Sequence, residues 1–233
     1  MIAQKFLSRT MSDLAQNSDD RRAVGLIHGL GRGPGSMTLM ANRLEAAGFR
    51  TFLMHYRSRH VVPAEAQADL VQQLDALSPG PCDLVGHSLG GVLALRIKIA
   101  QPDRIGRVVQ LGPPNLGSPM AAFFRDYRLV ADLMGPALER LAAADMGLDH
   151  LPPEVARDLG IIAGSAPIGP VSGFWGLAEP SDGMVPVSSA LGIDHADALI
   201  TRTVHGMLPL SMGAARQTAA FLRDGRFDTE KSA

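Results

Sequence analysis

The sequence predicts an α/β fold, with one mostly parallel sheet of about six strands and helices on both faces of the sheet. Apolar runs of strand length alternate with helical patterns along the chain, which is the order that produces parallel strands. One of these runs leads through a Gly-x-Ser-x-Gly pattern straight into a helix-forming segment. Because 233 residues suffice for one sizeable core, we expect a single domain over residues 1–233.

The N-terminal half contains four of the predicted strands. Residues 1–22 show only irregular apolar spacing, and we expect a short helix or a loose arm there. Residues 23–27 are apolar apart from one glycine, as expected of a buried parallel strand. The later elements end where glycine or proline interrupts the pattern. They are a helix over 36–47, a strand over 50–56, a helix over 64–77, a strand over 82–86, a helix over 89–100 and a strand over 104–111.

Residues 115–153 interrupt this alternation. Their apolar residues recur at helical intervals, so we predict a helical insertion within the domain. The insertion is either a lid beside the cleft or an amphipathic cover packed on the core. Strands over 159–164 and 198–204 complete the predicted sheet. Because ligands bind outside the carboxyl ends of parallel strands, we expect the functional residues to follow strands.

Ser88 lies at the turn between a predicted strand and a predicted helix. Gly86 and Gly90 on either side leave room for a sharp turn that holds the serine hydroxyl out into a cleft. The helix that starts at Leu89 directs unpaired backbone N–H groups toward the same place, which favours a negatively charged oxygen. A chance Gly-Ser-Gly loop is the alternative, and the strand before and helix after the serine argue against it.

The segment Gly-His-Ser-Leu-Gly-Gly at 86–91 resembles the α/β-hydrolase superfamily, as do His28-Gly29 upstream and Asp182-Gly183 and His205 downstream. More narrowly, the chain is similar to small bacterial lipases and esterases over about residues 24–222. The resemblance implies an α/β-hydrolase fold with its helical insertion after the sixth-strand position. It also implies a serine hydrolase activity.

A glycine-rich segment at 28–35 follows the first strand. In the resembling hydrolases this loop holds an oxyanion donor, which the resemblance places at the backbone N–H of Leu30, with the N–H of Leu89 as its partner. The alternative is a phosphate-binding loop. The sequence lacks both the Gly-x-Gly-x-x-Gly spacing and a Gly-Lys-Ser/Thr motif, which argues against phosphate binding.

His205 is the predicted general base. A serine nucleophile needs an imidazole to take its proton and a carboxylate to orient that imidazole, and in α/β-hydrolases the chain order is serine, acid, histidine. Of the seven histidines, only His195 and His205 follow the best candidate acid. The strand predicted over 198–204 places His205 at its carboxyl end, on the crevice side, and His195 at its amino end.

Asp182 is the predicted acid, because it follows the strand over 159–164. In the resembling lipases an Asp-Gly pair with a small apolar follower supplies the acid here, whereas this chain has the larger Met184. Asp-Gly is also a common turn signal, and that alternative stays open. Asp194 and Asp197 are rivals, but they lie at the amino end of the last strand.

Apolar residues near these candidates predict a substrate-binding pocket. Phe174 and Trp175 precede the acid, while Met184 and Met207 flank the acid and the base. Together with Leu30 they are candidates to bind an acyl chain, although core packing explains such residues equally well.

Composition and charge narrow the function further. The net charge of -1 and a pI near 6.6 give no field that would attract nucleic acid. The single cysteine, Cys82, excludes an internal disulfide and a multi-cysteine metal site. We find neither an apolar leader nor a membrane-spanning run, and expect a soluble, cytoplasmic protein.

These observations predict a serine hydrolase that cleaves a small-molecule or lipid carboxylic ester through an acyl-enzyme, without a metal or organic cofactor. The same triad also suits a thioesterase, an amidase or an acyltransferase, since all share the acyl-enzyme. A ligand-binding protein that has the same scaffold but no catalysis is a third interpretation.

Overall fold

The computed structural model describes residues 21–59, 63–78, 80–119, 121–122, 127, 146–148, 150–166 and 180–228. Its described strands form one six-stranded sheet, and every neighbouring pair is parallel, in the order β2-β1-β3-β4-β5-β6. The strands are β1 Ala23–Ile27, β2 Arg50–Met54, β3 Cys82–His87, β4 Ile105–Leu111, β5 Leu159–Gly164 and β6 Asp197–Thr201.

The described helices connect these strands and cover both faces of the sheet. They are α1 Thr38–Ala46, α2 Pro63–Leu77, α3 Leu89–Ala100, α4 Pro153–Ala156, α5 Val187–Leu191 and α6 Met212–Asp224, with short 3₁₀ helices at Pro34–Met37 and His205–Leu210. None of these described helices combines the length and the apolar character needed to span a lipid bilayer.

Two apolar clusters lie on opposite faces of the sheet. Successive strand residues enter different clusters, as the two-residue period of a strand requires, so Leu84 packs on one face and Val85 on the other. The first face packs against α2 and α3, and the second against α1 and α6. The predicted α/β sheet of about six parallel strands, with helices on both faces, is therefore confirmed.

Several predicted boundaries need correction. The predicted strand over 198–204 is wrong at both ends, because β6 begins at Asp197 and ends at Thr201. The Thr203 N–H then bonds back to the Thr201 carbonyl at 2.8 Å, which turns the chain out of the sheet. Likewise β2 ends at Met54 and not at 56.

Three described α-helices were not predicted. The buried positions of α6 include the small residues Ala214, Ala215 and Ala219 and the polar residues Gln217 and Thr218, so few large apolar side chains mark its buried face. The other two helices, α4 and α5, have only four and five residues and are too short to show a helical period.

Some predictions fall on residues that the structure does not describe. Most of the predicted insertion over 115–153 and residues 1–20 of the predicted N-terminal arm lie outside the described residues. The lid interpretation and the single-domain boundaries stay predictions.

The candidate functional residues follow the carboxyl ends of strands. His28 follows β1, Ser88 follows β3 and Gly112 follows β4. The loops that contain Asp182 and His205 come after β5 and β6. All of these strands run in the same direction, so the sheet brings five distant parts of the chain to one edge.

Candidate active site

Ser88 occupies a strained turn between β3 and α3. Its φ of 55° and ψ of -126° make it the one non-glycine residue with positive φ among those described. Its N–H donates to the Leu111 carbonyl of β4 at 2.9 Å, which fixes the turn to the sheet. The hydroxyl does not cap α3. The backbone thus holds the turn while leaving the side-chain oxygen out of the helix cap.

Glycines on both sides of the serine allow neighbouring backbone segments to approach each other closely. A Cβ atom on Gly86 would collide with the backbone of Gly90, and one on Gly90 with the carbonyls of Ile27 and His28. A side chain at Gly86 would push β3 away from α3, and one at Gly90 would push α3 away from the end of β1. The Gly-x-Ser-x-Gly spacing is therefore a requirement of this close packing.

The loop after β1 packs directly against this turn. A Cβ on Gly29 would lie 3.2 Å from the Ser88 Cβ and 3.1 Å from His87 Nδ1. The loop turns sharply there, since the Arg32 N–H donates to the Gly29 carbonyl at 3.3 Å. Within the described part of the chain, the Leu30 and Leu89 N–H groups have no acceptor. Both predicted oxyanion donors are thus available beside Ser88, and their catalytic role stays a prediction.

The segment that follows β2 anchors this loop, a contact that sequence reasoning missed. The Tyr56 hydroxyl donates to the His28 carbonyl at 3.1 Å, and the Gly31 N–H donates to Ser58 Oγ, also at 3.1 Å. Both anchoring side chains are buried. Burial raises the pKa of the Tyr56 phenol, so this group keeps its proton and remains a donor.

Asp182 and His205 form a buried pair. His205 Nδ1 lies 2.7 Å from Asp182 Oδ2, and only 4% of His205 and 1% of Asp182 are exposed. The other carboxylate oxygen, Oδ1, accepts the N–H groups of Met184 at 3.0 Å and Val185 at 2.8 Å. The His205 N–H also donates to the Asp182 carbonyl at 2.9 Å. These bonds fix the carboxylate and favour a proton on Nδ1 of the imidazole.

The predicted triad is brought to one edge, but not all its members are hydrogen-bonded to one another. Within the described residues the Ser88 hydroxyl makes no hydrogen bond with the His205 ring. The Asp-Gly turn alternative also describes the local backbone, since Asp182 Oδ1 accepts N–H groups two and three residues further on. Asp182 therefore both builds a turn and holds His205.

His87 is a second imidazole packed against His205, with ring centroids 4.8 Å apart. Its Nε2 lies 3.1 Å from the His205 carbonyl, which requires a proton on that nitrogen. Its Nδ1 is buried without a hydrogen-bond partner. Burial, and next the neighbouring His205, hold the pKa of His87 well below its ordinary value. His87 is therefore neutral and supports the backbone of His205.

Gly112, directly after β4, is a further residue that sequence reasoning missed. Its φ is +57°. A Cβ there would lie 2.7 Å from the Leu208 side chain, 2.9 Å from Asp182 Oδ2 and 3.3 Å from His205 Nδ1. Only glycine leaves the Asp182–His205 pair undisturbed. The glycine-proline signal at the end of the predicted strand marked this position as a turn, without indicating its neighbours.

The rival residues bond to backbone groups elsewhere. Asp197 accepts the N–H groups of Ala198 and Phe227, at 2.8 and 2.7 Å. His195 Nδ1 lies 2.7 Å from the Ile193 carbonyl. Neither forms a hydrogen bond or ion pair with Asp182 or His205 among the described residues.

The predicted pocket residues divide into two groups. Met184 and Met207 are 37% and 50% exposed beside the acid and the base. Leu30 is half-buried in the loop after β1, and Phe174 and Trp175 lie outside the described residues. Among the side chains that the structure describes, no group of three could ligate a metal ion. Cys82 is buried in β3, and burial raises the pKa of its thiol to about 11.

Comparison with known proteins gives sequence relatives among hydrolases and acyltransferases. The chain is 31% identical over 158 residues to 2-hydroxy-6-oxo-6-phenylhexa-2,4-dienoate hydrolase of Burkholderia cepacia. That match covers 60% of this chain and 54% of the enzyme, so the chain spans about half the length of this curated relative. It is also 32% identical over 120 residues to homoserine O-acetyltransferase of Thermus thermophilus, a match of 52% of this chain and 29% of that protein.

Comparison with solved structures supports the same fold. The Bacillus licheniformis lipase BlEst2 in its mature form superposes with a TM-score of 0.66 at 18% identity, covering 87% of this chain and 91% of the lipase. At that identity the likeness concerns the fold. The sequence profile described as the alpha/beta hydrolase family matches residues 26–226. The chain is therefore a member of the alpha/beta hydrolase family.

Proposed function

We propose that this protein is a serine hydrolase that cleaves carboxylic esters through an acyl-enzyme. The 2.7 Å contact between His205 Nδ1 and Asp182 Oδ2, at the sheet edge where Ser88 sits in its strained turn, is the observation that supports this most directly. An imidazole held in this way has its Nε2 nitrogen left for proton transfer. Membership of a hydrolase family agrees with that chemistry.

In the proposed reaction Ser88 Oγ attacks the ester carbonyl carbon while His205 Nε2 takes the hydroxyl proton. The negative charge on the carbonyl oxygen is stabilised by the N–H groups of Leu30 and Leu89. The carbonyl then re-forms, the C–O bond to the alcohol breaks, and His205 returns its proton to the departing alcohol. A water molecule repeats the sequence on the acyl-enzyme and releases the acid. Asp182 holds the imidazole and stabilises its charged form.

Nothing in this sequence of steps requires a metal or organic cofactor. We further propose a cytoplasmic enzyme that acts on a small-molecule or lipid ester and does not bind nucleic acid. The near-neutral net charge of -1 agrees with the last point.

Acyl transfer to an alcohol is the second candidate. The relative in Thermus thermophilus that is named an acetyltransferase favours it. The two reactions differ only in whether water or an alcohol takes the acyl group from Ser88. A thioesterase or amidase would use the same residues, and a ligand-binding protein would need none of them.

The test is hydrolysis of p-nitrophenyl esters of increasing acyl length. The native protein is compared with Ser88→Ala, Asp182→Ala and His205→Ala, and His195→Ala serves as a histidine control outside the pair. We expect turnover by the native protein and the control, and loss of at least about 10³-fold in the three site variants. Adding an alcohol acceptor separates transfer from hydrolysis. Inertness toward all esters and toward a fluorophosphonate probe of Ser88 would refute the proposal.

A further inference from the structure

A basic cleft lies beside the loop that contains Leu30. Its volume is about 340 Å³, and its walls include Gly31 and the arginines Arg32, Arg57 and Arg59. Among the described residues that line it there is no aspartate or glutamate. In a protein of net charge -1, three guanidinium groups around one cleft are a local concentration of positive charge.

The backbone after β2 orients two of these arginines. Residues 55–59 alternate in exposure, with Tyr56 and Ser58 buried and Arg57 exposed between them. The buried pair forms the hydrogen bonds that anchor the Leu30 loop. The same contacts leave Arg57 exposed and Arg59 half-buried, and both side chains line the cleft. The guanidinium of Arg59 donates to the Gly31 carbonyl at 3.4 Å.

Arg32 lies near the backbone beside His205. A Cβ on Gly206 would lie 2.9 Å from a terminal nitrogen of Arg32, so this guanidinium rests against the residue next to His205. Arg32 is close enough for its charge to contribute, after burial and His205, to the lowered pKa of His87. The charge at the cleft is thus adjacent to the candidate active site.

No carboxylate among the described residues neutralises these guanidinium groups. Arg22 and Arg104 form ion pairs with Asp83 and Asp75. Arg32, Arg57 and Arg59, by contrast, have no carboxylate partner in the part of the chain that the structure describes. A guanidinium presents paired N–H donors that match the two oxygens of a carboxylate.

We propose that this cleft binds a carboxylate of the substrate, so that the enzyme prefers esters that have a free acid group a few bonds from the scissile carbonyl. The inference rests on the proposed ester hydrolysis. The spacing follows from the hydrogen-bonded turn in which the Arg32 N–H donates to the Gly29 carbonyl. The Cα atoms at the two ends of such a β-turn lie within about 7 Å of each other, and a Cβ on Gly29 would lie 3.2 Å from the Ser88 Cβ. Arg32 and Arg59 bind the acid group, and Arg57 adds to the local positive charge.

The test compares matched esters with and without a carboxylate. One pair, p-nitrophenyl hydrogen glutarate and p-nitrophenyl valerate, places the charge on the acyl side. The other, 4-acetoxybenzoate and phenyl acetate, places it on the alcohol side. The readout is the ratio of kcat/KM for the charged and the neutral ester, which corrects for any general loss of activity. Variants are Arg32→Gln and Arg59→Gln, with the exposed helix residue Arg216→Gln as control.

We expect the ratio for at least one pair of esters to fall about tenfold in each site variant and to stay unchanged in Arg216→Gln. A tenfold change is at the lower end of what loss of a hydrogen bond to a charged group costs. The preference of the native protein should also weaken in high salt, since the cleft is open to solvent. Ratios that are the same in the native protein and both variants would overturn the inference.

A binding measurement decides the case in which no ester is hydrolysed, which would refute the proposed function itself. Monomethyl glutarate and methyl valerate are titrated against Ser88→Ala protein by ligand-observed NMR. The carboxylate site is supported without any turnover if the charged ester binds more strongly than the neutral one and if this difference disappears when Arg32→Gln and Arg59→Gln are added. Equal binding of the two esters would overturn it.

Discussion

Gly112→Ala tests whether the geometry around the Asp182–His205 pair governs activity. The substitution adds a single methyl group at the end of β4. That methyl would lie 2.9 Å from Asp182 Oδ2 and 2.7 Å from the Leu208 side chain, both closer than Cβ atoms approach in folded proteins. The pair or the β4 backbone must move to accommodate it.

Two separate costs add up in this variant. A non-glycine residue at a φ of +57° costs about 1–2 kcal/mol in backbone strain. Forcing a methyl group into a packed site costs about a further 1–3 kcal/mol. The free energy of unfolding should therefore fall by about 2–5 kcal/mol, and Tm by about 2–4 °C for each kcal/mol in a chain of this size. Displacing the acid and base by a fraction of an ångström should lower kcat/KM by about tenfold, since a misplacement of about 1 Å costs about 10²-fold.

Two other glycines provide matched controls. Gly48 has a φ of +93° with nothing within 4 Å of an added methyl group, so Gly48→Ala reproduces the strain without the contact. Gly80 has equal space and no positive φ, so Gly80→Ala reproduces neither. Thermal unfolding and p-nitrophenyl ester kinetics are measured on all three variants and the native protein.

We expect Gly48→Ala to lose about 1–2 kcal/mol of stability and to keep its activity, and Gly80→Ala to resemble the native protein. Gly112→Ala alone should lose both stability and activity. If Gly112→Ala has the Tm of Gly48→Ala and the kcat/KM of the native protein, the contact with Asp182 does not affect activity and the reasoning is refuted.

Three further predictions concern the same site. Asp182→Asn keeps the shape of the side chain but pairs poorly with the Nδ1 proton of His205, so kcat should fall by about 10⁴-fold. Circular dichroism checks that the fold persists. A loss of kcat under tenfold would contradict the assigned role. Ser58→Ala removes the acceptor of the Gly31 N–H and loosens the Leu30 loop, so kcat should fall several-fold with little change in KM in steady-state kinetics. Burial holds the pKa of His87 below 6.5, so at acid pH the unfolded chain binds a proton there that the folded protein does not. The free energy of unfolding, measured by urea titration, should therefore fall by about 1.4 kcal/mol between pH 7.5 and 5.5. In His87→Asn the free energy of unfolding should depend less steeply on pH.

Strong local patterns made most of the fold predictable. The buried strands and α3 are mostly apolar runs that end near glycine or proline, and the predicted bounds of 159–164 and 89–100 agree with the structure. The turn at Ser88 was predictable because the close packing of β3, α3 and the end of β1 needs glycines at fixed spacing around Ser88. Chain order and strand ends then predicted Asp182 and His205, which the structure pairs.

Contacts between distant segments were not predictable. Tyr56 and Ser58 lie almost 30 residues from the loop they anchor, and nothing in their own neighbourhood indicates that partner. Gly112 contacts Asp182 and Leu208 only because the sheet order places β4 beside β5. In the basic cleft Arg32 likewise lies far in sequence from Arg57 and Arg59. The overall charge of the chain hides this local concentration because it averages over the whole surface.

The anchoring of the Leu30 loop by residues after β2 links the site to an edge of the described sheet. β2 pairs on one side only, with β1, and most of its residues are half-buried. Edge elements of this kind open locally at a lower free energy than central strands such as β3. On warming, the loop should lose its two anchors while the middle of the sheet is intact. Activity is then expected to fade below the global unfolding temperature, with amide hydrogens at β2 exchanging well before those of β3.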